Sequence, residues 1–148
     1  STLLVRTGGE AIGGFGGKAS GPQILIEGIE NIGAVIRERE GKKLRSIDVL
    51  DICNIIGSVV VSGNVRRSAE IAVGDPDDYL FLRAKRWDLG NIPNWRAMSN
   101  NTIYADSYDH ISDAVWKTYD GSGEPYGFFN LPLAQKFGRL QDRSKDRV

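Results

Sequence analysis

The stretch that most constrains this chain is Gly8 to Gly21, where seven of fourteen residues are glycine. A run like this is costly as helix or strand interior, because glycine loses more backbone freedom on folding than any other residue and has no side chain to pack. It is useful in turns with positive φ and wherever another group must come close to the backbone. It lies between an apolar run, Thr2-Leu3-Leu4-Val5, read as a strand over 2–6, and a helical pattern that starts after Pro22. A loop leading to a helix N-terminus can offer backbone N–H groups to an anion, with Lys18 adding a charge. The competing reading is a flexible surface connection.

Two nucleotide-binding fingerprints fail on inspection. Gly14, Gly16 and Ala19 match a G-x-G-x-x-A spacing, but the region that should supply a second strand with its terminal acid reads as a helix instead. The G-x-x-x-x-G-K-[ST] pattern fails because Ala19 follows Lys18 and Ile12 stands five positions before Gly17.

Beyond the loop, Leu25, Ile29, Ile32 and Ile36 recur on one helical stripe that ends at Gly41. Ser46 is the expected N-cap of a second helix, whose stripe Val49, Ile52, Cys53 and Ile56 stops at Gly57 and turns Cys53 into packing. Val59-Val60-Val61 and the turn at Ser62-Gly63-Asn64 then read as a loop feeding a strand over 69–73. Asp75 as N-cap with Pro76 at the first helical position predicts a short helix over 76–86. A strand should end the run Ser99 to Tyr104, and a helix should carry Tyr108, Ile111, Val115 and Tyr119 on one face. Phe128-Phe129-Asn130 reads as a strand and Pro132 to Phe137 as a last helix. Strands alternating with helices give an α/β class.

The 19 basic residues balance the 19 acidic ones, which argues against a binder of nucleic-acid polymers working by bulk charge. A hydrophobic content of 41% with 26% charged residues is that of a globular chain. One cysteine excludes an internal disulfide, and with no Cys/His cluster a structural zinc site has no ligands; no metal is expected. No apolar run reaches the ~18 residues of a membrane span, so a cytoplasmic protein without membrane contact is expected. The chain opens without Met and closes on a charged tail, and is read as an internal piece of a longer polypeptide.

The second candidate element is Gly63-Asn64-Val65-Arg66-Arg67-Ser68, where two guanidinium forks in a loop can reach phosphate or a base. Paired arginines on a solvated surface are the alternative. His110 reads as a solvated helix-start residue, Cys53 as a packing residue, and Asp75, Asp77 and Asp78 as caps.

Taken together, Gly14-Phe15-Gly16-Gly17-Lys18-Ala19-Ser20-Gly21-Pro22, Ser62-Gly63-Asn64-Val65-Arg66-Arg67-Ser68-Ala69-Glu70, Gly74-Asp75-Pro76-Asp77, Ser99-Asn100-Asn101-Thr102 and Gly123-Glu124-Pro125 closely resemble the adenosylcobalamin-dependent ribonucleotide reductases, nearest the monomeric ribonucleoside-triphosphate type. The resemblance implies an α/β fold: a fragment of that family's ten-stranded α/β barrel, with residues 1–74 as the specificity-effector region and 75–148 as the following barrel segment. It implies that Gly14, Gly16, Gly17, Lys18 and Ser20 form a first loop binding a dNTP effector. Gly63, Asn64, Arg66, Arg67 and Ser68 then form a second loop relaying effector identity to the substrate base, and Asn100 and Asn101 lie near the substrate. The implied partners are a ribonucleoside triphosphate and a thioredoxin-type reductant, and the implied cofactor is adenosylcobalamin, bound by the full-length enzyme. The family's thiyl-radical cysteine and redox cysteine pair have no counterpart here, so no catalytic residue is assigned and the fragment alone is expected to be inactive. An iron-dependent class I large subunit and a non-catalytic nucleotide-binding regulatory module are the alternatives.

Overall fold

The computed structural model describes residues 2–14, 16–62, 68–121 and 124–137. Two helices come first, α1 (Gln23–Glu38) and α2 (Ser46–Val61), followed by β1 (Glu70–Gly74), α3 (Tyr79–Leu82), β2 (Ser99–Ala105), α4 (Asp113–Trp116), β3 (Gly127–Asn130) and α5 (Leu131–Phe137). The strands form one parallel sheet in the order β1-β2-β3. Glu70 pairs with Ser99 and Gly74 with Ile103, while Thr102 pairs with Gly127 and Ala105 with Asn130. The α/β class expected from the sequence is observed.

Registered residues of parallel strands point to the same side of a sheet. On one side Ala72, Ile103, Ala105 and Phe128 meet Ile47 and Leu50 of α2, Phe81 of α3, Ile111, Val115 of α4 and Tyr126 in a single core. On the other side Ile71 is 74% exposed and Val73 54%, and Asn100 and Phe129 are also exposed. Parallel sheets are ordinarily covered on both faces; among the described residues this one is covered on one.

Helices α1 and α2 pack through Gly28, the one buried residue of α1. A Cβ there would lie 2.6 Å from Val59 Cγ2, so only glycine lets the backbones meet this closely. The α1 stripe predicted from Leu25, Ile29, Ile32 and Ile36 is thereby corrected, since Ile29 and Ile36 flank the contact and remain exposed.

The larger correction concerns α2. Its N-cap is Arg45 and not Ser46, and it runs past Gly57 to Val61, taking in the valines read as a loop. Its buried face is Ile47, Asp48, Leu50, Asp51, Asn54, Ile55 and Gly57, whereas Val49, Cys53 and Ile56 are exposed. Polar residues point inward here because each finds a partner. Asp48 accepts from the Arg45 backbone N–H (2.7 Å) and from that guanidinium through both oxygens. Asp51 accepts from Trp95 Nε1 (2.9 Å) and from Arg96 Nε and Nη2 (both 2.7 Å).

Other expectations shift in detail. Residues 2–6 form a turn rather than a strand: Val5 N–H donates to Thr2 O, and no described strand lies alongside to complete a ladder. Asp75 does not cap a helix over 76–86. Its carboxylate takes the Asp77 N–H and the Tyr104 hydroxyl, while Asp78 caps the four-residue α3 by accepting from Leu80 and Phe81. The helix expected from Tyr108 to Tyr119 is a 3-10 turn (Tyr108–His110) followed by α4, with Ser112 as the cap of the latter. Its Ile111 and Val115 still reach the core.

The hydrogen-bonded Arg45 guanidinium holds the Asp48 carboxyl below its ordinary pKa against the opposing effect of burial. A depressed carboxylate contributes stability that is present at neutral pH and fades as pH falls through the folded-state pKa. Asp48→Asn should lower stability by about 1–3 kcal/mol at pH 7. Thermal unfolding across pH should show this deficit shrinking on acidification; a deficit independent of pH would refute the assignment.

Candidate functional site

The glycine-rich stretch is a small hairpin. Ala11 and Lys18 form an antiparallel bridge, Gly9 N–H donates to Ala19 O (2.9 Å), and Ile12 N–H to Gly17 O (3.1 Å). Its tip needs glycine, with φ of 87° at Gly14, 68° at Gly16 and 97° at Gly17. Where the hairpin closes, a Cβ on Gly21 would sit 3.0 Å from Gly8 N, and Pro22 then leads straight into α1. Gly14, Gly16, Gly17, Lys18 and Ser20 are thus brought together on one exposed element just before a helix N-terminus.

Of the second candidate loop, Gly63, Asn64, Arg66 and Arg67 lie outside the described residues, and Ser68 is half-buried. Both attachments of this loop are described: α2 runs into it and β1 leaves it. Glu70, the first residue of β1, lays its carboxylate across Gly57, where a Cβ would collide with it. Burial pushes the Glu70 carboxyl above its ordinary pKa.

Asn100 and Asn101 point to opposite sides of β2. Asn100 is exposed on the open face, whereas Asn101 is 3% exposed on the helix side and accepts from Ser99 Oγ (2.8 Å). Ser99 Oγ in turn accepts from Asn54 Nδ2 (3.1 Å), and Ser99 O accepts from the buried Lys85 Nζ (2.9 Å), which also pairs with Glu124 (2.8 Å). A reading of apolar periodicity misses Asn54, Lys85 and Glu124. The available signal was the spacing Asp48, Asp51, Asn54, a polar stripe at helical intervals inside an otherwise apolar helix.

A groove of about 740 Å³ follows β1, lined by Val49, Cys53 and Ile56 of α2 and by Glu70 to Asp75. Cys53 is therefore not packed inside as predicted; it is exposed in an aliphatic furrow. No helix among the described residues is long and apolar enough to cross a membrane.

Against known proteins, no family model matches the chain, and no solved structure does. Curated relatives do. The adenosylcobalamin-dependent ribonucleoside-triphosphate reductase of Lactobacillus helveticus is 44% identical over 142 residues, covering 93% of this chain and 18% of the relative. The enzyme of the same name from Lactobacillus leichmannii is 41% identical with the same coverage, and that of Levilactobacillus brevis is 38% identical over 148 residues, 97% of this chain and 19% of its own. The chain is homologous to one segment of these reductases. It spans about a fifth of their length.

Glu70 supplies a test of the geometry. A carboxyl whose pKa is raised by folding destabilises the fold above that pKa and has no such effect once protonated in both states. Glu70→Gln should therefore raise the melting temperature at pH 7, with the gain vanishing toward pH 4. A loss of stability at pH 7 would show that the charge has a favourable partner.

Proposed function

We propose that the chain is part of an adenosylcobalamin-dependent ribonucleoside-triphosphate reductase, a cytoplasmic enzyme that makes deoxyribonucleotides by thiyl-radical chemistry under dNTP control. The observation that carries this reading is the 38–44% identity to enzymes of that name over 93–97% of the chain. The sheet is compatible with it. Three parallel strands, covered on one side by helices and open on the other with Ile71, Val73 and Phe129 exposed, suit part of a larger α/β barrel whose interior is the open face. On that reading Asn100 looks toward the substrate and Asn101 supports it from behind.

The chain's own residues supply binding, not bond-breaking. The hairpin at Gly14 to Ser20 offers backbone N–H groups and the Lys18 ammonium to an effector triphosphate. Arg66 and Arg67 offer planar forks that match phosphate or a base edge in two bonds, which ammonium groups do not. Cys53, the one cysteine, is exposed on a helix in an aliphatic groove. The radical cysteine and the redox pair, which a thioredoxin-type reductant would regenerate, are thus assigned to the rest of the enzyme, and the segment alone should be inactive.

The described residues do not fit a corrin. The groove along β1 is an aliphatic furrow at a strand edge, and His110 has its Nδ1 engaged by the Asp106 N–H (3.3 Å). Adenosylcobalamin is therefore also assigned to the rest of the enzyme, and no step here runs through it.

In the full-length reductase, Arg66→Ala and Arg67→Ala should change the preference among the four ribonucleotides under a given dNTP by about tenfold, the effect of ~1.4 kcal/mol from one charge-assisted hydrogen bond. Turnover of each substrate with each effector measures this. Equal losses with all four substrates would overturn the specificity role.

A further inference from the structure

The seam between α2 and the sheet contains a buried polar layer that the chemistry above does not use. Asn54 is 0% exposed and Asn101 3%, and both are bonded to Ser99 Oγ, itself buried. Two polar atoms of this layer, Asn54 Oδ1 and Asn101 Nδ2, have no hydrogen-bond partner and are shielded from solvent. Leaving such atoms unpaired works against stability, and an apolar layer of the same shape would not suffer it. An apolar layer would, however, tolerate sliding of the helix over the strands, because aliphatic contact has no direction. Amide and hydroxyl groups meet at one helix position only, which is the best-attested use of buried polar groups.

The layer stands at a place where position matters. Ser99 is the register partner of Glu70, and Glu70 crosses Gly57, one turn along α2 from Asn54. Both ends of the segment 63–67 are thus set by this seam: α2 enters the segment, and β1 departs from it at Glu70. Lys85 grips the Ser99 carbonyl from the other end of that residue, so Ser99 is held at both side chain and backbone.

We propose that Asn54, Ser99 and Asn101 are positioning residues that hold α2 at one register on the sheet and so fix the spacing between the two ends of the specificity loop. This rests on the reading that the 63–68 loop selects substrate. The layer contacts neither nucleotide; it acts through the roots of the loop.

The test uses full-length reductase carrying Asn54→Leu, Ser99→Ala or Arg66→Ala, with melting temperature and effector-dependent substrate preference measured for each. Asn54→Leu replaces the amide by an apolar group with the same branching and number of heavy atoms, though bulkier. Ser99→Ala removes one oxygen and adds no bulk, so it folds if the leucine variant does not. Asn54→Leu should keep the melting temperature within about 4 °C, and Ser99→Ala, which leaves Asn54 Nδ2 and Asn101 Oδ1 without their partner, should melt lower; in both, the shift in preference that a dNTP produces falls by about fivefold or more. If the layer variants melt lower but keep that shift, while Arg66→Ala loses it, the layer is only structural and the proposal is overturned although the loop reading survives. If no variant, Arg66→Ala included, alters preference, the loop reading fails and this proposal with it.

Discussion

The pairing of Asp51 with Arg96 carries the rest of the architecture. A carboxylate on the inward face of a helix would be expensive on its own, because taking a charge out of water costs several kcal/mol unless its lone pairs are filled. Here two guanidinium nitrogens and the Trp95 indole fill them, and the remaining Arg96 Nη1 reaches Ala84 O (3.2 Å). The 3-10 turn Asn94–Met98 is thereby pinned to α2 just before β2 begins at Ser99. Once that start is fixed, the alternation of β2 follows: Ser99, Asn101, Ile103 and Ala105 turn to the helices, and Asn100 to the open face. The neighbouring strands then take their register from β2.

This explains which parts of the fold were legible in the sequence. The strands near 70, 100 and 128 and the helix after Pro22 announce themselves, since β-branched or aromatic alternation and a glycine or proline boundary reflect local preferences. The orientation of α2 does not. Counting apolar residues picks Val49, Cys53 and Ile56 as its buried face, and the helix instead buries Asp48, Asp51 and Asn54. Their partners lie at Arg45, at Trp95 and Arg96, and at Ser99, the last three more than forty residues away. A pattern within one helix cannot report a bond to a residue that distant. Gly57 illustrates the same limit: as a stop signal it ends a helix, whereas in the fold it makes room for Glu70.

The candidate site was legible unevenly for a related reason. The hairpin at Gly14 to Ser20 is written into its own glycines, and its exposure and position before α1 follow from them. The split between Asn100 and Asn101 needs the strand direction and knowledge of which face the helices cover. Adjacent asparagines in a strand necessarily face opposite ways, so their chemistry differs however alike they look in sequence: one is available to a ligand, the other is bound to Ser99.

The furrow along β1 bears on how such a chain is made. Its backbone edge is unpaired among the described residues, and Ile71, Val73, Val49 and Ile56 line or flank it in water. An apolar strand with an open edge is a template for any extended peptide nearby, including another copy emerging from a ribosome. Parallel sheets also close slowly, because their partner strands are far apart in sequence. The interval between synthesis of β1 and arrival of its neighbour is thus when aggregation competes with folding, and the yield of soluble protein should depend on how quickly that edge is covered.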